Sequence, residues 1–424
     1  MVMDEHFLHY LWKYQKFDHP QLTLTDGRSL IVFTPGFHNH DSGPDFEEAR
    51  IKIDHLEWAG QIEIHINASD WNRHGHSSDP AYANVILHVV WNADREILVE
   101  GNPIPVLELK GLINPDLLTR YQLYMSAPSD ILCADQFDSV SKITRSSALD
   151  KVLVERLEQK AEGLLTLLKK SQGDWESTTY QALASNFGFS TNKLAFQRLT
   201  ALLPYPILKK NLHDLTKTEA LVFGQAGFLE KPTDTYSQQL QKEHDFLKAK
   251  YELPAPLGQS EWKFGKMRPA NFPTIRLAQF ASLMHHSPQL FTNLISLENP
   301  KKIREVFDFE LPDYWCQHYA FSKKRKQKQK HLGNQSLENL LINTVAPLLA
   351  AYGRHTDQQN LMDRAISLLE QVSPEKNRIT KKWDEIGFEA GNAFDSQAQI
   401  QLFNAYCKPK KCLECSIGIE ILGR

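Results

Sequence analysis

No run in this 424-residue chain approaches the roughly 18 apolar residues needed to span a bilayer. The opening MVMDEHFLHYLWKY lacks the basic flank and apolar block of a secretory signal, so the expectation is a cytoplasmic protein. Cysteine is scarce: five residues, an odd number, argue against a disulfide framework and leave reduced thiols or a metal site. Charge of one sign is also lacking, since 48 basic against 51 acidic side chains give a net −3, so any attraction to nucleic acid must come from a local patch. No fixed-period repeat is present, and a solenoid is not expected. What remains is an ordinary globular composition, 42% hydrophobic, with enough length for two or three domains.

The chain divides by periodicity. Phe7, Leu8, Leu11 and Trp12 recur at helical spacing and predict a helix over 4–15. Short alternating runs follow: LTLT (22–25) and SLIVF (29–33) around Asp26-Gly27, a dipeptide suited to a tight hairpin, then ARIKI (49–53), QIEIHI (61–66), VILHVVW (85–91), EILVE (96–100) and PVLELK (105–110). VILHVVW has no polar face, which predicts a strand at the sheet centre covered on both sides. From about Ser146 the period is helical, with Val152, Leu157, Leu164 and Leu168 on one long helix and further helices near 190–203, 238–250, 274–285, 336–351 and 357–371. The expected organisation is an N-terminal α/β domain with a mixed sheet over 1–135, a linker, and an all-α domain over 146–424 that carries the C-terminal cysteines.

Acidic residues and histidines crowd between His38 and Trp91. On QIEIHI, Glu63 and His65 share one face while Ile62, Ile64 and Ile66 share the other. A carboxylate on a strand whose far face is core is desolvated, and needs a cation or donors to compensate it. Asp45 follows Gly43-Pro44, a turn that sets its carboxylate at the head of the strand ARIKI, where it can meet Glu63 across the sheet. His38 and His40 approach Asp45 in sequence and are candidates to line the same cleft.

A helix, a hairpin, Pro44-Asp45 opening a strand, and Glu63-Ile64-His65 on the next strand together resemble the PD-(D/E)xK nuclease core over about residues 1–110, with His65 where that superfamily usually has lysine. The resemblance implies a restriction-endonuclease-like sheet, Asp45 and Glu63 as ligands of Mg²⁺ or Mn²⁺, and His65 as the group that orients or deprotonates the attacking water. A second placement within the stretch uses Glu108-Leu109-Lys110 as the E-x-K element with Asp94 or Glu96 upstream; a half-exposed strand gives the same pattern without a site.

The segment SDWNRHGHSSDPAY (69–82) adds Asp70, His74, His76 and Asp79. His74-x-His76 beside Glu63-x-His65 has the donors for a histidine-rich transition-metal site; the plain reading is a polar loop with a helix start at Asp79-Pro80. His88, inside VILHVVW, reads as a core histidine bonded locally.

In the helical part, KKRKQKQKH (323–331) offers Lys323, Lys324, Arg325 and Lys326 to a phosphate backbone, as does Arg268 in WKFGKMRPANFPTIR; a solvated loop is the plain reading of the basic run. Near the chain end, Cys407, Cys412 and Cys415 are spaced C-x4-C-x2-C, which suits a zinc or iron–sulfur corner and calls for a fourth ligand from Cys133, Cys316 or a histidine. The combination GPDF, EIH, SDW, HGH, DPAY, VILHVV, RPANFP and C-x4-C-x2-C also resembles, over nearly the whole chain, a bacterial family catalogued as a domain of unknown function. Three functions are therefore carried forward: a metal-dependent nuclease or phosphodiesterase, a non-catalytic nucleic-acid-binding or scaffold protein on a degenerate nuclease-like core, and a histidine-rich metal-dependent hydrolase.

Overall fold

The computed structural model describes residues 3–17, 21–39, 41–99, 101–326 and 328–423. Helix α1 (Glu5–Lys13) starts where the Asp4 side chain accepts the His6 amide at 3.1 Å, and it buries Phe7, Leu8, Leu11 and Trp12. Strands β1 (Leu22–Thr23), β2 (Ser29–Thr34), β3 (Phe37–His38), β4 (Phe46–Ile53) and β5 (Leu56–Asn67) follow, then the short helix α2 (Asp70–Arg73). The chain continues through β6 (Val85–Asn92), the small hairpin β7 (Leu98–Val99) and β8 (Asn102–Pro103), β9 (Val106–Glu108), and helices α3 (Pro115–Met125) and α4 (Lys142–Lys170).

The main sheet runs β1-β2-β4-β5-β6-β9, with β3 also paired to β4. From β1 to β5 the pairing is antiparallel; β5/β6 and β6/β9 are parallel, which makes the sheet mixed as expected. The parallel β5/β6 pair requires a crossover, and residues 68–84 supply it through α2 and two short helical turns. VILHVVW forms β6, next to the short edge strand β9 and not at the middle of the sheet. It is apolar on both faces because Ile86 through Val90 are all buried, with Trp71 of α2 packed against Val90 in a cluster with Ala68, Ile97 and Val106.

β5 is longer than the run QIEIHI. Its first four residues extend the hairpin with β4, where Leu56 and Trp58 stay exposed, and only Ile62 to His65 are fully enclosed. Between Phe46 and Ala49 the register of β4 shifts by a bulge, with Glu48 at φ 56°. Gly36, at φ 92°, lets the neighbouring backbone come close: a Cβ there would lie 2.6 Å from the Glu47 carbonyl oxygen.

By compactness, residues 1–148 together with 403–424 form one unit and 149–402 another. The end of the chain thus belongs to the sheet unit: the helix Ser416–Leu422 lies against α3 and the 134–139 turn, and Glu420 accepts the Ser141 amide at 3.0 Å. The larger unit is helical apart from the two-stranded hairpin His318–Ala320 with Lys323–Lys324. Among the described residues no helix is long and apolar enough to cross a membrane.

Candidate metal centre

Five segments of the sheet unit bring polar side chains to one place. Asp45 stands one residue before β4, after a loop tied by Asn39, whose Nδ2 donates to the carbonyls of Ser42 and Pro44 at 3.3 and 3.1 Å. Because Phe46 pairs with Ile62, the next step of that antiparallel register sets Asp45 beside Glu63. The two are cross-tied: the Asp45 amide donates to Glu63 Oε2 at 3.2 Å and the Ile64 amide to Asp45 Oδ2 at 2.9 Å. His9 of α1 places Nε2 3.3 Å from the same Asp45 oxygen.

Glu63 and His65 do share a face of β5, and that face is closed over by the crossover, so both are buried. Glu63 Oε1 lies 3.5 Å from His65 Nε2 and 3.3 Å from His76 Nε2. His65 Nε2 is also 3.1 Å from His74 Nδ1. Behind it, His65 Nδ1 meets His88 Nε2 at 2.9 Å, because Glu63 and His88 are register partners in the parallel β5/β6 pair. Tyr82 stacks on His76 at 3.8 Å between ring centres, and Trp71 meets the rings of His76 and His88 edge-on or tilted.

Burial governs the protonation of this ring. It pushes the Glu63 carboxyl up to about 9, with the Asp45 charge adding to the effect. Burial likewise pushes His65 down to about 2, where the neighbouring imidazoles reinforce it, and His88 down to about 3. The His76 imidazole is lowered for the same first reason. At neutral pH Glu63 in the metal-free ring is therefore a protonated carboxyl beside the neutral imidazoles of His65, His76 and His88. A neutral imidazole is the form that ligates a cation, and a carboxyl held protonated by burial is the group a cation would ionise.

The spacing fits such a cation. Ligands about 2.0–2.1 Å from a tetrahedral ion stand about 3.3 Å apart, and three of the pairs meet that spacing: His65 with His74 at 3.1 Å, and Glu63 with His76 at 3.3 Å and with His65 at 3.5 Å. Among the described residues, His65, His74 and His76 form the group whose ligand atoms all fall within 4.8 Å of one another. His76 Nε2 is buried and makes no aligned hydrogen bond, with Glu63 Oε1 3.3 Å away. His74 is exposed, so the ring is reached from solvent on its side.

Not every sequence candidate joins this centre. Asp70 accepts the Asn67 amide and pairs with Arg73; Asp79 caps the Pro80–Tyr82 turn by accepting the Ala81 amide. The Glu108 carboxylate accepts the Ala93 amide at 3.1 Å and Asp94 holds Ser69, so the second E-x-K placement is occupied with structural bonds. The ring of His38 stacks on Phe46, with its centre 5.0 Å from that of His9, and His40 lies outside the described residues. Lys323, Lys324, Lys326 and Arg268 are exposed residues of the helical unit, while Arg325 is half-buried and donates to Gln329 at 2.7 Å. Two participants escaped the sequence reading, His9 and Tyr82. Only the Glu5-His9 spacing, one helical turn on the first helix, hinted at a polar stripe there.

The chain belongs to the family described as "Protein of unknown function (DUF2851)", whose model matches residues 5–378. No curated protein and no solved structure matches it.

Proposed function

We propose that this family member is a metal-dependent hydrolase whose ion is held by Glu63, His65, His74 and His76, with phosphodiesters of nucleic acid as its substrate class. The observation that carries the reading is the ring itself: three imidazoles whose ligand atoms lie within 4.8 Å of one another, with Glu63 Oε1 3.5 Å from His65 Nε2 and 3.3 Å from His76 Nε2. Three nitrogens and one oxygen favour Zn²⁺ over Mg²⁺ and Mn²⁺, which prefer oxygen ligands. A bound ion of this kind supplies a water acidified towards neutrality and a charge to polarise the scissile group.

The protein's own groups have separable tasks. When His65 Nε2 ligates, its Nδ1 carries the proton and donates to His88 Nε2, which fixes the ring's orientation. Asp45, hydrogen-bonded to the Ile64 amide and next to His9, is placed to accept a proton from water beside Glu63. Tyr82 and Trp71 close the inner side against water. The substrate class rests on the nuclease-like resemblance. It is supported by Asp45 at the head of one strand and Glu63-x-His65 on its antiparallel neighbour, within a sheet that turns parallel at β6.

The test is hydrolysis of single- and double-stranded DNA and RNA and of a chromogenic phosphodiester by protein loaded with Zn²⁺ or Mn²⁺. Loss of at least about 100-fold in kcat on Asp45→Asn, with metal content retained, and loss of both metal and activity on His76→Ala are expected. Activity that survives both substitutions would remove this site from the reaction.

A further inference from the structure

Four of the five cysteines gather in the sheet unit although one is far from the others in sequence. Cys133 ends the segment before the 134–139 turn and is buried. Cys407 closes a π-helical segment, Phe403–Cys407, a winding often found at functional sites. Cys412 and Cys415 bracket the turn that leads into the helix Ser416–Leu422, with the Cys415 amide donating to the Cys412 carbonyl at 3.3 Å. That turn is seated on Gly418: a Cβ at 418 would lie 2.2 Å from the Cys412 carbonyl oxygen, so no larger residue permits the approach. Cys133, Cys407, Cys412 and Cys415 lie within electrostatic range of one another, and the Tyr124 hydroxyl of α3 is hydrogen-bonded with the thiols of Cys133 and Cys412. The fifth cysteine, Cys316, is in the other unit and donates to the Leu311 carbonyl at 3.2 Å.

We propose that Cys133, Cys407, Cys412 and Cys415 ligate one iron–sulfur cluster, which clasps the chain where it leaves the sheet unit to the chain where it returns. A four-cysteine set is the complete ligand set of such a cluster. The choice over zinc comes from spacing. Four sulfurs around a tetrahedral Zn²⁺ at about 2.3 Å stand about 3.8 Å apart. Among the described residues no three of these sulfurs fall within 4.8 Å of one another, whereas the histidine ring does. A cluster with its own sulfides between the irons holds its thiolates wider than a single ion does. Cys316 has no part in the site, and the centre is independent of the metal proposed at Glu63.

The full chain, purified without oxygen, is analysed for iron, acid-labile sulfide and zinc. About four iron and four sulfide per chain are expected, with iron and sulfide unchanged in Cys316→Ser and Glu63→Ala. Cys133→Ala should hold about three irons or fewer, and the double variant Cys412→Ala, Cys415→Ala none. Zinc without sulfide, a pair of disulfides, or no metal in the unaltered chain would overturn the assignment, as would a full complement in Cys133→Ala. Should Cys133→Ala fail to fold, the iron and sulfide contents of the unaltered chain decide.

Discussion

Glu63 is the residue on which the chemistry turns. Its carboxyl is raised to about 9 in the metal-free fold, so the stability it contributes is full below the ordinary carboxyl value and is lost as pH rises towards 9. A metal reverses this dependence, because it binds the ionised form and must displace the proton. Apparent affinity for Zn²⁺ should therefore rise about tenfold per pH unit between about pH 7 and 8.5, with close to one proton released per ion. His65 and His88, held down to about 2 and 3, stay neutral over that range and add no slope of their own. Calorimetric titration in buffers of different ionisation enthalpy measures the proton directly, and a flat affinity would remove Glu63 from the ligand set. The sequence made Glu63 and His65 legible because strand alternation fixes a shared face. It could not show that His9, on a helix 36 residues before Asp45, reaches that carboxylate, since the contact depends on how α1 lies on β5.

At the scale of elements, the centre is built by a crossover and a bulge. The crossover carries His74 and His76 back over the face that β5 presents, which turns two histidines on a loop into partners of Glu63. The bulge at Glu47–Glu48 shifts the register that sets Asp45, and Gly36 permits the close packing against it. Gly36→Ala brings a Cβ within 2.6 Å of the Glu47 carbonyl at a positive φ. It should destabilise the sheet unit by at least about 1 kcal/mol in denaturant titrations and weaken metal binding at Glu63. A neutral outcome in both would mean that the bulge does not position the site. The strands were readable from alternation where one face is buried. The exposed start of β5, Leu56 to Ala59, was not, since nothing apolar alternates there. The apolar run of β6 predicts a central strand, yet it lies beside the short edge strand β9; its apolar face is covered by Trp71 of α2, packed with Val90, Ile97 and Val106.

For the whole molecule, the helical unit is a continuous insertion, 149–402, between two parts of the sheet unit. The switch from period two to helical period revealed where the insertion begins. Its end was hidden, because the returning segment is itself helical and is distinguished only by long-range partners such as Ser141 with Glu420. A ligand stabilises only the cooperative unit that binds it. Zn²⁺ should therefore raise one of two calorimetric unfolding transitions and leave the other within about 1 °C; equal shifts of both would show that the units unfold together. The central claim, a single ion in the Glu63 ring, is tested most directly by anomalous scattering from crystals grown with Zn²⁺. The account predicts one peak about 2.0–2.1 Å from Glu63 Oε1, His65 Nε2, His74 Nδ1 and His76 Nε2. Well-ordered side chains with no peak between them, or a peak held by Asp45 and Glu63 without the histidines, would contradict it.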